Sequence, residues 1–357
     1  MRGRLLAAGG ALGALVVLGS AVPAAALPPA DVPPADVPPA DVPAAAEDAA
    51  AAPTVQCQIT EPGLAELSGL VAVGDRVLAM NDGGDRVAVH LLDPACQVID
   101  VHTAAVDPYD PEDMAVAADG TVWLADTGDN TATRTTVALL ALRPDRTTAV
   151  YRLTYPDGPH DAEALLLSPD GTPYLVTKEV LGASGVYSPA AGLVDGGTVA
   201  LAKVATVNLT FTGTPGGPVG QAGQLLVTGG AVAADGRHLA LRTYTDAYVW
   251  PLTGNDVVGA LAATPVRIAL PESPQGEAIS FTADNLALLV ASEGLPSDLT
   301  RVPLATEVAA PPTPPVGPVP RFTDLTSSGL SPITSALIAA AVATVVVWVA
   351  GRLRRRP

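Results

Sequence analysis

The chain repeats itself, and that limits what it can fold into more than any other feature. Aligned on a turn aspartate, five stretches match: SGLVAVGDRVLAMNDGGD from Ser68, EDMAVAADGTVWLADTGD from Glu112, EALLLSPDGTPYLVTKEV from Glu163, TGGAVAADGRHLALRTYT from Thr228 and EAISFTADNLALLVASEG from Glu277. The turn aspartates Asp75, Asp119, Asp170, Asp235 and Asp284 all fall at the same offset. Start-to-start spacings are 44, 51, 65 and 49 residues. A unit of that size cannot bury its apolar face alone, so the units must pack against one another.

Each unit reads as four short strands. In the second they are DMAVAA, TVWLAD, TVALLALRP and AVYRLTYP, aliphatic and β-branched runs separated by Gly, Asp or Pro. The Asp-Gly and Gly-Asp pairs predict two-residue hairpins with positive φ. Four antiparallel strands in some 40–50 residues describe a β-propeller blade. The expected fold class is therefore all-β, a five-bladed β-propeller of four-stranded antiparallel blades. Six blades are the alternative, because the long third spacing has room for one more; TFTGTPGGPVGQAG (Thr210 to Gly223) reads instead as a loop. The last unit supplies only three strands, AISFTA, ALLVAS and LTRVPLA, and TVQCQIT (Thr54 to Thr60) would add the fourth and close the ring. Closure removes exposed sheet edges. Cys57 and Cys96 are the only cysteines; one lies on the closing strand and the other near the outer strand of the first blade, so a disulfide between them is expected to staple the seam.

The ends of the chain read as address and tether. Residues 1–26 carry Arg2 and Arg4, an apolar run from Leu5, and small residues Ala24 and Ala26 before a cut: the pattern of a signal peptide. Residues 27–53 contain the repeat PPADVPPADVPPADVP, an extended spacer too poor in apolar surface to fold. The propeller is assigned to 54–309, a second Pro-rich spacer to 310–332, and a transmembrane helix to 333–351, which has no charged residue and would span roughly 28 Å. The tail 352–357, RLRRRP, places that end in the cytoplasm by the positive-inside rule. The expected location is the cell membrane, single-pass, with the propeller extracellular and an unidentified extracellular ligand or protein as partner. Net charge is −17 and only Lys178 and Lys203 are lysines. No basic face exists to neutralise phosphates, which excludes a nucleic-acid partner.

In a blade the first strand lines the central channel, and its start opens on the same face as the loop after the second strand. The starting column is Ser68, Glu112, Glu163, Thr228 and Glu277, with Asp113 beside Glu112. The second column is Asp82, Asp126, Thr177-Lys178, Arg242 and Ser292-Glu293. Ring closure would crowd these acids around one mouth, where each raises the others' pKa unless a cation intervenes. Two readings stay open. The acids cap loops through Asx turns, with Lys178 and Arg242 balancing charge. Alternatively, Glu112, Glu163 and Glu277 hold a metal such as Ca²⁺, which takes six to eight oxygens, while Asp82, Asp126, Lys178 and Arg242 bind a polar ligand. The sequence has no G-x-S-x-G, no H-E-x-x-H and no phosphate-cradling glycine loop. His160, ahead of Asp161 and Glu163, is a candidate acid or base as well as an ordinary loop histidine.

The strings ELSGL, NDGGD, EDMAVAADGTVWLADTGDN, TYPDGPHDAEALLLSPDG, YLVTKE, LRTY and QGEAI resemble exported β-propeller proteins of high-GC Gram-positive bacteria, distantly related to phytase-like esterase and lactonase-type propellers. The resemblance covers about Pro62 to Pro303. It implies the propeller fold and mouth acids holding Ca²⁺, which by position are Glu112, Glu163 and Glu277. Ser68 and Thr228 stand where acids would complete a multi-calcium phytase centre. Two functions follow as expectations: a binding or scaffold module using its acidic mouth, or a calcium-dependent hydrolase of phosphoesters, esters or lactones. A structural role in the envelope is a third.

Overall fold

A computed structural model describes residues 51–305 and residue 308. The signal peptide, the membrane span 333–351 and the basic tail all lie outside these residues, as do nearly all of the two spacers. No helix among the described residues is long and apolar enough to cross a membrane.

Twenty strands occur among the described residues, and they fall into five sets of four. The first set is β2 (Leu67–Val73), β3 (Arg76–Asn81), β4 (Val87–Leu92) and β5 (Val98–Ala104); the second is β6 (Pro111–Val116), β7 (Val122–Asp126), β8 (Val137–Leu142) and β9 (Thr148–Thr154). The third is β10 (Ala162–Leu167), β11 (Pro173–Thr177), β12 (Ala183–Pro189) and β13 (Thr198–Asn208). The fourth is β14 (Val227–Val232), β15 (His238–Thr243), β16 (Asp246–Pro251) and β17 (Val266–Ala269). The fifth joins β18 (Gly276–Phe281), β19 (Ala287–Ser292) and β20 (Ser297–Pro303) to β1 (Thr54–Ile59), which pairs antiparallel with β20. Within the first four sets the order follows the chain, in the fifth β1 lies outside β20, and neighbours within each set run antiparallel. This is an all-β arrangement of four-stranded antiparallel sheets, consistent with a β-propeller.

Packing between the sets follows the same order. The leading strands β2, β6, β10, β14 and β18 each touch the next, and β18 touches β2. Five apolar clusters fill the gaps between adjacent sets. Met80 and Val89 meet Met114 and Leu124, for example, and Ala164 and Leu166 meet Val227 and Trp250. The clusters explain why the strands read as near-continuous apolar runs: both faces of each sheet are covered. Cys57 and Cys96 form a disulfide with Cα atoms 5.7 Å apart, tying β1 to the turn after β4.

The hairpins differ from the expected two-residue form in four units. There the aspartate does not adopt positive φ. Its carboxylate instead accepts an N–H two residues on, from Thr121, Thr172, Arg237 and Leu286. Only the next residue is left-handed: Gly120 (φ 84°), Gly171 (84°), Gly236 (68°) and Asn285 (56°). The recurring aspartate is thus a local acceptor that stabilises a wider turn. The unit from Ser68 alone has the tight form, with Val73 opposite Arg76 and Gly74 left-handed.

The long third spacing holds no further set of strands among the described residues. It is taken up by β13, which also pairs in parallel with β9, and by the segment that follows it. That segment is largely irregular, as expected, except for a 3-10 turn at Gly220–Gln224. Asp246, fully buried, accepts from Thr212 and Thr214 and pairs with Arg267 at 2.7 Å, which pins the loop. One short helix, α1 (Val257–Leu261), is capped by Asp256 and packs between the third and fourth sets; the sequence reading did not contain it.

Candidate functional site

All five column residues sit at a break in strand register. The pairing shifts between Leu67 and Gly69, Pro111 and Asp113, Ala162 and Ala164, Val227 and Gly229, and Gly276 and Ile279, so each shift contains the column residue. A bulge re-aims the side chain it carries. Ser68, Glu112, Glu163, Thr228 and Glu277 are consequently buried on the channel side, each 4% exposed or less. The two hydroxyls link strands. Ser68 Oγ donates to the Glu112 carbonyl, and Thr228 Oγ1 donates to the Gly276 carbonyl at 3.0 Å.

The acids converge. Ligand oxygens of Glu112, Asp161 and Glu163 all lie within 4.8 Å of one another. Lys178 Nζ is 2.6 Å from Glu163 Oε1, while Glu163 Oε2 is buried without a hydrogen-bond partner. Gly128 permits the approach: a Cβ there would collide with Glu112 Oε1 and Asp110 Oδ2. Glu277 is in the same field, with Tyr244 Oη 3.4 Å and Gln275 Nε2 3.3 Å from its Oε1.

Burial, then Glu163 and Asp110, holds Glu112 well above the usual carboxylate range. Burial, partly offset by Lys178, pushes Glu163 up to about 8. Burial, then Glu163 and Glu293, pushes Glu277 up to about 10. Burial also raises Asp161, lifts Asp110 to about 6, and with Glu293 and Glu66 lifts Asp82 to about 7. Burial pulls the Lys178 ammonium down, but Glu163 and Tyr244 outweigh it and raise its pKa. Two ionised carboxylates no more than 4.8 Å apart repel by at least ~3.5 kcal/mol at an effective dielectric near 20, and one ammonium cannot cancel several such pairs.

Two residues expected to bind ligand make hydrogen bonds within the fold. Asp126 accepts the N–H groups of Tyr109 and Asp110 and pairs with Arg134 at 3.0 Å, so it caps a loop. Arg242 is 1% exposed; Nε donates to the Thr243 carbonyl, and Nη1 to the carbonyls of Ala278 and Ala291. It pairs with no carboxylate among the described residues. Through the carbonyls of Ala278 and Ala291 its guanidinium knits the fourth set to the fifth, while Nη2 makes none of these hydrogen bonds. Asp82 remains half-buried and Lys178 remains at the cluster. His160 stands off to one side, between Asp157 (3.0 Å), Glu179 (3.4 Å) and Tyr187 (3.0 Å).

Asp113 has a separate task. It is 1% exposed, and its Oδ2 accepts from Leu165 and Gly230 while Oδ1 accepts from Met114. One carboxylate thus clasps three leading strands at the hub. Asp110, Asp161 and Tyr244 were missed by sequence reasoning. A signal existed: residues two before the column are Glu66, Asp110 and Asp161 in the first three units, an acid recurring just ahead of each leading strand.

No protein-family description matches the chain, and no curated protein matches it. Solved structures do. A gluconolactonase from Xanthomonas campestris is 18% identical, covering 67% of this chain and 72% of its own, with a TM-score of 0.40. A virginiamycin B lyase from Staphylococcus aureus is 10% identical over 74% of this chain and 76% of its own (TM-score 0.36), and a glucose dehydrogenase is 12% identical over 71% and 100% (0.38). At these identities and scores the likenesses assign no activity.

Proposed function

We propose that the chain is a five-bladed β-propeller whose mouth binds a divalent cation through Glu112, Asp161 and Glu163, and that it serves outside the cell as a binding module. The supporting observation is Glu163 Oε2: a buried carboxylate oxygen without a partner, beside two further acids. The donor set is all hard oxygen with no nitrogen or sulfur, which suits Ca²⁺. Glu277 and Asp110 stand near enough to add to the field that attracts it. The count of five blades draws on the five sets of strands and the cyclic contacts of their leading strands. Export and tethering by residues 333–351 draw on the sequence pattern, and the Cys57–Cys96 disulfide is in keeping with an oxidising compartment.

A second reading is a metal-dependent hydrolase of phosphoesters, esters or lactones, and the observation favouring it is Lys178. Its ammonium, beside the cation ligands and 5.3 Å from the Tyr244 ring centroid, could hold an anionic substrate oxygen. The cation would supply Lewis-acid polarisation of a carbonyl or phosphoryl group. Thermal melts of residues 54–309 with Ca²⁺ and with chelator test the cation site. Ca²⁺ at one hundred times its dissociation constant adds ~2.7 kcal/mol, and Glu163→Gln removes the effect. An unchanged melt in Ca²⁺ would remove the ground for both readings. A shift without turnover of any ester, lactone or phosphoester leaves the binding module.

A further inference from the structure

Between the fourth and fifth sets lies a cavity of about 410 Å³, lined by Arg242, Ser273, Val55, Val290 and Leu295 among others. Arg242 is almost wholly buried, yet its Nη2 has no hydrogen-bond acceptor among the described residues, while Nε and Nη1 are used. Ser273 Oγ is also buried and without a partner. Both atoms meet at one point. A Cβ on Gly276 would collide with Arg242 Nη2 and lie 2.6 Å from Ser273 Oγ. The missing side chain of Gly276 lets the guanidinium and the Ser273 hydroxyl pack against the backbone side by side.

We propose that this cavity binds a short aliphatic carboxylate, its carboxylate accepting from Arg242 Nη2 and Ser273 Oγ and its chain lying on the apolar wall. The guanidinium donates only to carbonyl oxygens and, although Glu277 acts on it from nearby, makes no ion pair among the described residues; a buried cation so placed favours an anion. Burial lowers Arg242 only to about 10, so the group remains a cation at neutral pH. Two features select a single charge and an apolar tail. Glu272 and Asp298 are exposed and Glu293 half-exposed on the same wall, which disfavours multiply charged anions. Pro53, Val55, Val290 and Leu295 supply an apolar part of the lining, beside the neutral polar Gln58 and Thr300, and the volume is within the size range of small-ligand pockets. This site is distinct from the cation ligands and does not depend on them.

The test uses full-length protein in detergent with butyrate as probe, followed by calorimetric titration and by line broadening of ¹³C-butyrate. Saturable binding is expected, with butyramide at least tenfold weaker because it lacks the charge. Ser273→Ala should weaken butyrate roughly tenfold, the effect of one charge-assisted hydrogen bond. Gly276→Ala should abolish it by pushing Arg242 Nη2 out of place, since the new methyl would overlap that atom. Arg242→Met is the direct variant, and Ser273→Ala covers the case in which it fails to fold. Absence of saturable binding overturns the proposal, as does equal binding of butyramide or undiminished binding by the Ser273 and Gly276 variants.

Discussion

Reducing the Cys57–Cys96 disulfide should cost this protein a large part of its stability. The bridge closes a loop of 39 residues. The chain-entropy relation for that length gives about −13 cal/mol/K, or about 4 kcal/mol at 25 °C. The location makes the loss consequential. Strand β1 is the outermost of the fifth set and is held by its pairing to β20, which has a register shift between Val55 and Cys57, by the Gln58–Asp298 hydrogen bond and by the apolar cluster of Ile59 and Cys96. Urea unfolding followed by tryptophan fluorescence, on oxidised and reduced protein, is the assay. With a slope near 3 kcal/mol/M the midpoint should fall by ~1.3 M. Reduction leaves both sulfurs in place, so no packing loss confuses the result; Cys57→Ser with Cys96→Ser should give at least as large a shift. A change below about 1 kcal/mol would refute the argument that this seam is a weak point needing a covalent staple.

Three further outcomes follow from the mouth and hub. Without divalent cations, stability should fall as pH rises from about 5 to 9. Asp110, Asp82 and Glu163 keep protons in the folded state to about 6, 7 and 8, after the unfolded chain has lost them; their contribution is complete below the unfolded values and disappears through the folded ones. A urea midpoint at pH 8.5 equal to or above that at pH 5.5 would contradict this. Gly128→Ala should abolish the Ca²⁺-dependent melt and destabilise by ~1–3 kcal/mol, because its methyl occupies the space of Glu112 Oε1 and Asp110 Oδ2; differential scanning calorimetry with and without Ca²⁺ measures both. Asp113→Ala should lower stability by roughly 3–5 kcal/mol, since it strands the N–H groups of Leu165 and Gly230 at the hub; hydrogen exchange should show those two amides losing protection first.

The sequence alone determined the sheets. The repeat places Ser68, Glu112, Glu163, Thr228 and Glu277 at equivalent points, and TVQCQIT was legible as the closing strand because the last unit lacked one. These are local matters: strand propensity, turn chemistry and spacing act within a few residues of each other and leave their mark in the letters. Even there the turn geometry needed coordinates, since an Asp-Gly pair suits both a two-residue hairpin and the wider turn its carboxylate caps. Only the tertiary structure decided which acids are free. Asp126 and Glu112 look alike in the repeat, but Asp126 meets two backbone N–H groups and Arg134, whereas Glu112 meets other carboxylates. Likewise Lys178 and Arg242 share a column, yet one reaches Glu163 and the other reaches carbonyls of the next sheet. A carboxylate's role depends on its neighbours within a few ångströms, and those neighbours come from other loops and strands, from 8 residues away in the chain (Arg134 to Asp126) to 51 (Glu163 to Glu112).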